Sequence, residues 1–421
     1  MRLLLDYGSD GLPVDLPDDR TVVVAPRHTA AVADPVAALA DALCHPTAGP
    51  PLGSLVSPGQ RVAISICDIT RAQPRQVMVE AILAALPQTR LDDVTLLVAT
   101  GTHRANTPDE LTRMLGADLV ARCRVVNHDA RDATSLVEAG TTSGGVPIWL
   151  HRDWAGADVR ITTGFVEPHF FAGFSGGPKM VAPGLAGLAT TLVLHDARHI
   201  GHPNAVWGVT VGNPVHDDVR EIATLTGVTF ALDVALNRDQ AITRVFAGSL
   251  LDEHAAACAY VKETAMVPVD GLFDVVLTTN SGYPLDQNLY QAVKGMSAAA
   301  CIVKPGGTIV CAAECRDGVP DHGPYGRLLR QRRSPAELLE MVEAPGFAEQ
   351  DAWQVQVQAL IQRKARVLVK ADGLSHEQLR QAHFEPVTDV AMAVREALGQ
   401  AGPGATLAVL PHGPQTIPYV R

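Results

Sequence analysis

The chain has no apolar run of the roughly 18 residues that a membrane-spanning helix needs. Its first apolar stretch, Leu3-Leu4-Leu5, is cut off by Asp6. The opening MRLLLDYGSDG therefore reads as a first strand and not as a secretory leader, and no membrane partner is expected. Basic runs are also lacking, and the formal net charge is −11, which argues against a nucleic-acid surface. The seven cysteines, Cys44, Cys67, Cys123, Cys258, Cys301, Cys311 and Cys315, form no CxxC pair. An odd number of scattered thiols suits a reducing, cytoplasmic location, and Cys311 and Cys315, in apolar surroundings, read as packing residues. Internal repeats and low-complexity tracts are missing as well.

What is present is a chain of 421 residues, 47% hydrophobic and 19% charged, which suggests a compact protein of two or three domains. Short apolar runs recur: Arg61–Cys67, Val94–Thr100, Val159–Thr163, Val275–Thr279, Thr308–Ala312 and Thr406–Leu410. Continuous runs of this kind suit parallel strands covered on both faces. Helical patterns lie between them, at Gln76–Leu86, Pro108–Leu115, Leu285–Ala300, Pro335–Val342, Asp351–Ala365 and Val390–Ala397. The alternation predicts α/β architecture with mostly parallel sheets. The segment Glu263–Asp274 reads as a passage between two α/β domains, 1–265 and 269–421, with the last strand left free to return to the first domain.

In open α/β sheets, sites form beyond the carboxyl ends of strands. Three strand ends here run into polar sequences: Asp68-Ile-Thr-Arg71, Gly101-Thr-His103-Arg104 and Asn280-Ser-Gly-Tyr-Pro284. Each alone also fits a helix cap. The most informative stretch is Glu167–Gly187, EPHFFAGFSGGPKMVAPGLAG, in which Lys179 follows His169 by ten residues and Gly173, Ser175, Gly176 and Gly177 lie between. Glycines allow close approach of an anion, and a lysine beside them meets a phosphate or becomes a covalent anchor. A nucleotide P-loop does not fit. Pro178, without an N–H, stands where the second glycine belongs, and Met180 where the magnesium-binding hydroxyl belongs. A tight surface turn with a solvated lysine is the alternative for the segment.

Of fifteen histidines, His45, His151, His254, His322, His376 and His383 sit in polar or loop contexts and take structural readings. His103 can cap a helix or do chemistry, and His169 can be buried by Phe170 and Phe171 or act. His195 and His199, at i and i+4, would share a helix face and could bind metal, although Asp196 in place of glutamate rules out the HExxH pattern. Arg71 suits a substrate carboxylate. Tyr290, Gln291 and Lys294 lie along one side of a helix that either faces the site or faces solvent. Arg75 and Arg104 are expected to face solvent or cap helices.

Taken together, DITRAQP (Asp68–Pro74), ATGTHR (Ala99–Arg104), the Lys179 segment, LHDARH ending at His199, YPLDQNLYQAVKG (Tyr283–Gly295) and VLPHG (Val409–Gly413) resemble the lactate racemase family over most of the chain. The resemblance implies two α/β domains with the active site in the interdomain cleft. It implies a nickel-pincer nucleotide, a pyridinium mononucleotide whose carbon and two sulfurs hold nickel, joined to Lys179 as a thioamide. His195, sixteen residues after the lysine, matches the nickel ligand, and His103 and His169 match the acid and base. Asp68, Ser175, Gly176 and Gly177 fall on the cofactor side. Arg71, Lys294, Gln291, Tyr290 and, from the family's site tryptophan, Trp353 fall on the substrate side. Maturation proteins that make the cofactor are the implied partners.

The chemistry fits on its own terms. Racemising a 2-hydroxy acid means breaking a C2–H bond of low acidity, and removing hydride onto an electrophilic centre avoids a carbanion. Both enantiomers react, so a base is needed on each side. A small aliphatic 2-hydroxy acid such as lactate is the expected substrate. The alternatives are an epimerase or redox enzyme for a larger hydroxy acid such as a sugar acid, or a non-catalytic binding protein of the same fold.

Overall fold

The computed structural model describes residues 1–27, 29–320 and 323–421; His322 therefore lies outside the described residues. The chain forms two compact units. One comprises Met1–Arg27, Asp196–Pro203 and Glu263–Arg421, the other His28–His195 and Asn204–Lys262.

The second of these is built on a six-stranded sheet in the order Ile242–Gly248, Phe230–Leu236, Val159–Phe165, Val62–Cys67, Val94–Ala99, Arg124–Asn127. All neighbours are parallel except the antiparallel edge strand Ile242–Gly248. Every residue of Val62–Cys67 is buried, as expected for a strand covered on both faces. Ile64, Ile66, Met78, Ile82, Leu96 and Leu115 pack one face, and Ala63, Leu97, Leu150, Trp154 and Ile222 the other.

The first unit carries an all-parallel sheet in the order Glu385–Pro386, Arg366–Lys370, Val303–Ala312, Phe273–Thr279, Leu407–Leu410, Thr21–Val23. The partition thus differs from a division into 1–265 and 269–421 at the start of the chain and at Asp196–Pro203. Thr21–Val23 pairs with Leu407–Leu410, and the hairpin Arg2–Leu5/Leu12–Asp15 buries Leu5, Val14 and Leu16 with Val394 and Leu407. Leu407–Leu410 stays in the unit of Phe273–Thr279, so it is the N-terminus that crosses over.

All seven cysteines are free thiols. Burial pushes the thiols of Cys67 and Cys311 up to about 12, so both are inert packing groups at neutral pH. No helix among the described residues is long and apolar enough to cross a membrane.

Candidate active site

Three adjacent strands, Val159–Phe165, Val62–Cys67 and Val94–Ala99, deliver the Glu167–Lys179 loop, the Asp68–Arg71 turn and the His103 turn from their carboxyl ends. The Asp68–Arg71 turn is held from inside by Arg75. This side chain is only 7% exposed. Its guanidinium donates to the carbonyls of Cys67, Asp68, Arg71 and Gln73. The expectation that Arg75 faces solvent or caps a helix is therefore corrected: a planar fork of five donors is what a tight turn with inward carbonyls requires. Arg104, by contrast, is exposed and pairs with Glu110 at the start of helix Pro108–Arg122. Arg75→Met should destabilise the protein by about 3 kcal/mol or more, because several buried carbonyls lose their donor. Arg75→Lys should restore only part, since an ammonium lacks the fork geometry. Urea unfolding followed by circular dichroism measures both, and equal stability of Arg75→Met and wild type would refute the role.

His103 lies with Nδ1 2.7 Å from Asp68 Oδ2. Burial raises the Asp68 carboxyl, but His103, Arg71 and Thr70 outweigh this and hold it below its ordinary value. An ionised Asp68 can only accept, so His103 Nδ1 carries the hydrogen and Nε2 the lone pair. His169 has the opposite arrangement. The backbone N–H of Ala172 donates to its Nδ1 at 3.2 Å, so the neutral ring carries its hydrogen on Nε2. The two imidazoles thus rest in opposite tautomers, with the His103 lone pair on Nε2 and the His169 hydrogen there. Arg71 NH1 lies 4.0 Å from Glu167, with both side chains partly exposed. A pair this long and solvated is worth little, which leaves the guanidinium competent to meet an external carboxylate.

Lys179 sits in the short turn Gly177–Met180. Its Nζ lies 5.6 Å from the centroid of the Phe171 ring. The same ring meets His169 at 4.5 Å and His195 at 5.1 Å, both edge-on. Phe171 is thus the common wall of three candidate groups. The sequence offered it only as a residue that might bury His169. His195 ends helix Leu188–Leu194, and its Nδ1 lies 2.8 Å from the Thr191 carbonyl. A carbonyl only accepts, so Nδ1 carries the hydrogen and Nε2 the metal-binding lone pair, the usual way an imidazole ligand is oriented. Among the described residues no group of three or more His, Cys, Asp or Glu could hold a metal. A metal at His195 would therefore need its other donors from a cofactor, and an imidazole oriented through its Nδ1 hydrogen bond fits that requirement.

The glycine-rich loop has internal partners of its own. Ser175 Oγ donates to Phe165 O and accepts from Glu167 N, and Gly177 N donates to Asp233. Those groups of Ser175 and Gly177 are engaged within the fold, so an anion cradle made from them is not what the loop displays. His195 and His199 do not share a helix. The chain leaves the first helix at His195, and Asp196 caps a new turn, Ala197–Ile200, accepting from His199 N. His199 is buried with Nδ1 2.7 Å from Asp196.

Tyr290, Gln291 and Lys294 belong to helix Leu289–Ala300 of the other unit, and all three are partly exposed. The helix starts later than expected because Asn288 caps it, accepting from Gln291 N. Trp353, on helix Ala352–Lys364, donates from Nε1 to the Tyr290 hydroxyl at 3.1 Å, so two of the expected substrate residues do meet.

Comparisons with known proteins agree in one direction. Residues 7–208 match a model of the lactate racemase N-terminal domain and residues 270–417 one of the lactate racemase C-terminal domain. A lactate racemase of Thermoanaerobacterium thermosaccharolyticum is 32% identical over 419 residues, 98% of each chain. One from Lactiplantibacillus plantarum is 34% identical over 374 residues, 88% of each. The solved lactate racemase apoprotein from T. thermosaccharolyticum superposes with a TM-score of 0.92 at 31% identity over 100% of both chains. A Thermotoga maritima protein shares the fold, with a TM-score of 0.67 at 17% identity over 88% of this chain and 96% of that one.

Proposed function

From a chain that belongs to the lactate racemase family, a family of isomerases, we propose a racemase of small aliphatic 2-hydroxy acids, lactate first, acting through a nickel-pincer nucleotide attached to Lys179. The observation that carries this reading is the Phe171 ring, against which Lys179, His169 and His195 are all set. The names of the relatives support lactate as the substrate. Held by Lys179 and His195, the cofactor would supply an electrophilic centre for hydride chemistry at C2.

The remaining work falls to the chain. Arg71 holds the carboxylate, so that only the substituents at C2 change. Lys294, Gln291, Tyr290 and Trp353 are kept as further substrate residues on the strength of the resemblance. His103 Nε2 takes the hydroxyl proton as C2 loses hydride, and the opposite enantiomer uses His169 for the same step, once its ring leaves the tautomer that the Ala172 N–H holds. When the planar 2-keto acid is reduced on its opposite face, the other histidine, in its protonated form, supplies the hydroxyl proton. Asp68 holds the His103 ring in the tautomer this requires and stabilises it once protonated. His195 is the nickel ligand, through Nε2.

Two measurements test the reading. Protein made in a nickel-replete host with the maturation enzymes should racemise lactate and 2-hydroxybutyrate in a chiral assay. Deuterium at C2 should be retained in the inverted product, because hydride does not exchange with water. Loss of the label to solvent would mean proton abstraction at C2. Faster turnover of malate or gluconate would move the substrate to a larger acid. For the metal, His195→Ala should lose nickel while His199→Ala keeps it, and equal loss in both would reject His195 as the ligand.

A further inference from the structure

Beneath the loop that carries Lys179 lies a set of buried groups that the proposed reaction leaves unused. Asp233, on strand Phe230–Leu236, is fully buried, and its Oδ2 accepts from Gly177 N at 2.7 Å. His254, on helix Leu250–Ala265, has Nε2 2.9 Å from the Ser175 carbonyl. His216, on helix Pro214–Thr226, has Nδ1 3.2 Å from the Ala172 carbonyl, and its ring stacks on His254 at 5.7 Å. Asn213, which caps that helix, donates to the Phe171 carbonyl at 2.9 Å. A carbonyl can only accept, so both imidazoles donate one hydrogen to the loop. Burial lowers His216 to about 3 and His254 to about 4, which keeps both neutral in that role.

The glycines of the loop follow from this seat. A Cβ on Gly177 would stand 2.4 Å from the His254 ring, and one on Gly176 would stand 2.8 Å from Asp233. Both residues also have positive φ, 47° and 72°. The loop lies so closely on Asp233 and His254 that it has no room for side chains. Glu253 is buried in the same region with neither carboxyl oxygen hydrogen-bonded among the described residues, and burial together with Asp233 raises it well above its usual range. Burial and the Asp233 charge both favour the protonated form of Glu253.

We propose that Asp233, His254, His216 and Asn213 are positioning residues that clamp Phe171–Gly177 from below and so fix the direction in which Lys179 presents its amine. This rests on the reading of Lys179 as the cofactor anchor, but the clamp can be tested without the cofactor. Treat the apoprotein of the full chain with a limiting amine acylating reagent, digest it, and compare acylation of Lys179 with that of Lys304, an exposed lysine paired with Asp274 in the other unit. Asp233→Ala should raise Lys179 acylation relative to Lys304 by about three- to tenfold, the opening expected when one buried hydrogen bond is lost. Asp233→Asn, which keeps an acceptor oxygen for Gly177 N, should return to the wild-type ratio.

If Asp233→Ala does not fold, His254→Leu against His254→Gln repeats the comparison, because glutamine keeps a donor near the Nε2 position. Folded Ala and Leu variants with wild-type acylation would overturn the clamp, as would an Asn variant no better than Ala. Intact mass of protein from the maturation host adds a second readout: Asp233→Ala should carry the cofactor on a smaller fraction of chains than Asp233→Asn. An unmodified wild type in that host would sink the anchor reading, while the acylation ratio would still decide the clamp.

Discussion

Lys179→Arg, purified from a nickel-replete host that carries the maturation enzymes, should have the mass of the bare chain and no measurable racemisation, and Lys179→Ala should behave the same way. A lysine that only balanced the charge of a bound phosphate would leave much of its function to arginine, which is cationic and a good phosphate ligand. A lysine that forms a covalent link through its amine leaves none, because the guanidinium is not a nucleophile at neutral pH. The substitutions should spare the fold. The Lys179 backbone is held independently of its side chain, with its N–H on Gly176 O and its carbonyl accepting from Gly184 N. The Nζ contact with the Phe171 ring is worth only about 1 kcal/mol. Thermal unfolding should therefore change little while activity disappears. Retention of tenfold-reduced but real turnover in Lys179→Arg would contradict covalent attachment and return the lysine to an electrostatic role.

The parallel sheets were legible because their strands are nearly uninterrupted apolar runs, such as VAISIC at Val62–Cys67, and such runs have few other places to go. The strand-end turns carrying Asp68, His103 and Asn280 were legible for the same reason, since polar residues directly after a buried strand mark its carboxyl edge. Long-range pairings were not. Thr21–Val23 is three residues long and mostly exposed, and nothing in its own composition announces a partner near residue 408. Phe230–Leu236 and Ile242–Gly248 also lack a strong signal in the sequence. Asp233 interrupts one of those strands at a fully buried position, a local conflict between residue type and place that marks a functional seat more often than a mistake. The role of Arg75 is not legible in the sequence because a charged residue at a helix start is usually solvated, and only the fold shows four carbonyls turned inward around it. The helix break at His195 had a readable sign in Asp196, a good N-cap, that the i, i+4 spacing of two histidines overrode.

His103→Ala and His169→Ala should each lower kcat for racemisation by about a hundred- to ten-thousand-fold, the range for loss of a general acid or base. Both should leave the mass of the Lys179 adduct in place. The two rings are held in opposite tautomers, His103 by the Asp68 carboxylate and His169 by the Ala172 N–H. Each takes the proton from one enantiomer and, once protonated, supplies it to the other, so a full cycle from either enantiomer needs both. Asp68→Asn isolates the tautomer effect. Asparagine can offer its amide N–H to His103 Nδ1, which would place the hydrogen on Nε2 and remove the base. That variant should lose kcat almost as fully as His103→Ala, with KM little changed. Arg71→Ala should do the reverse in emphasis, raising KM strongly because the carboxylate loses its bidentate partner. Burial and its neighbours leave Asp68 below its ordinary pKa, so it stays ionised from mildly acidic pH upward. The activity of wild type and of His169→Ala should therefore show no loss on the acid side that tracks Asp68 above about pH 4. Near-normal racemisation by either His→Ala variant, starting from L- and from D-lactate, would mean that one base serves both faces and that the two-histidine arrangement does not operate in this protein.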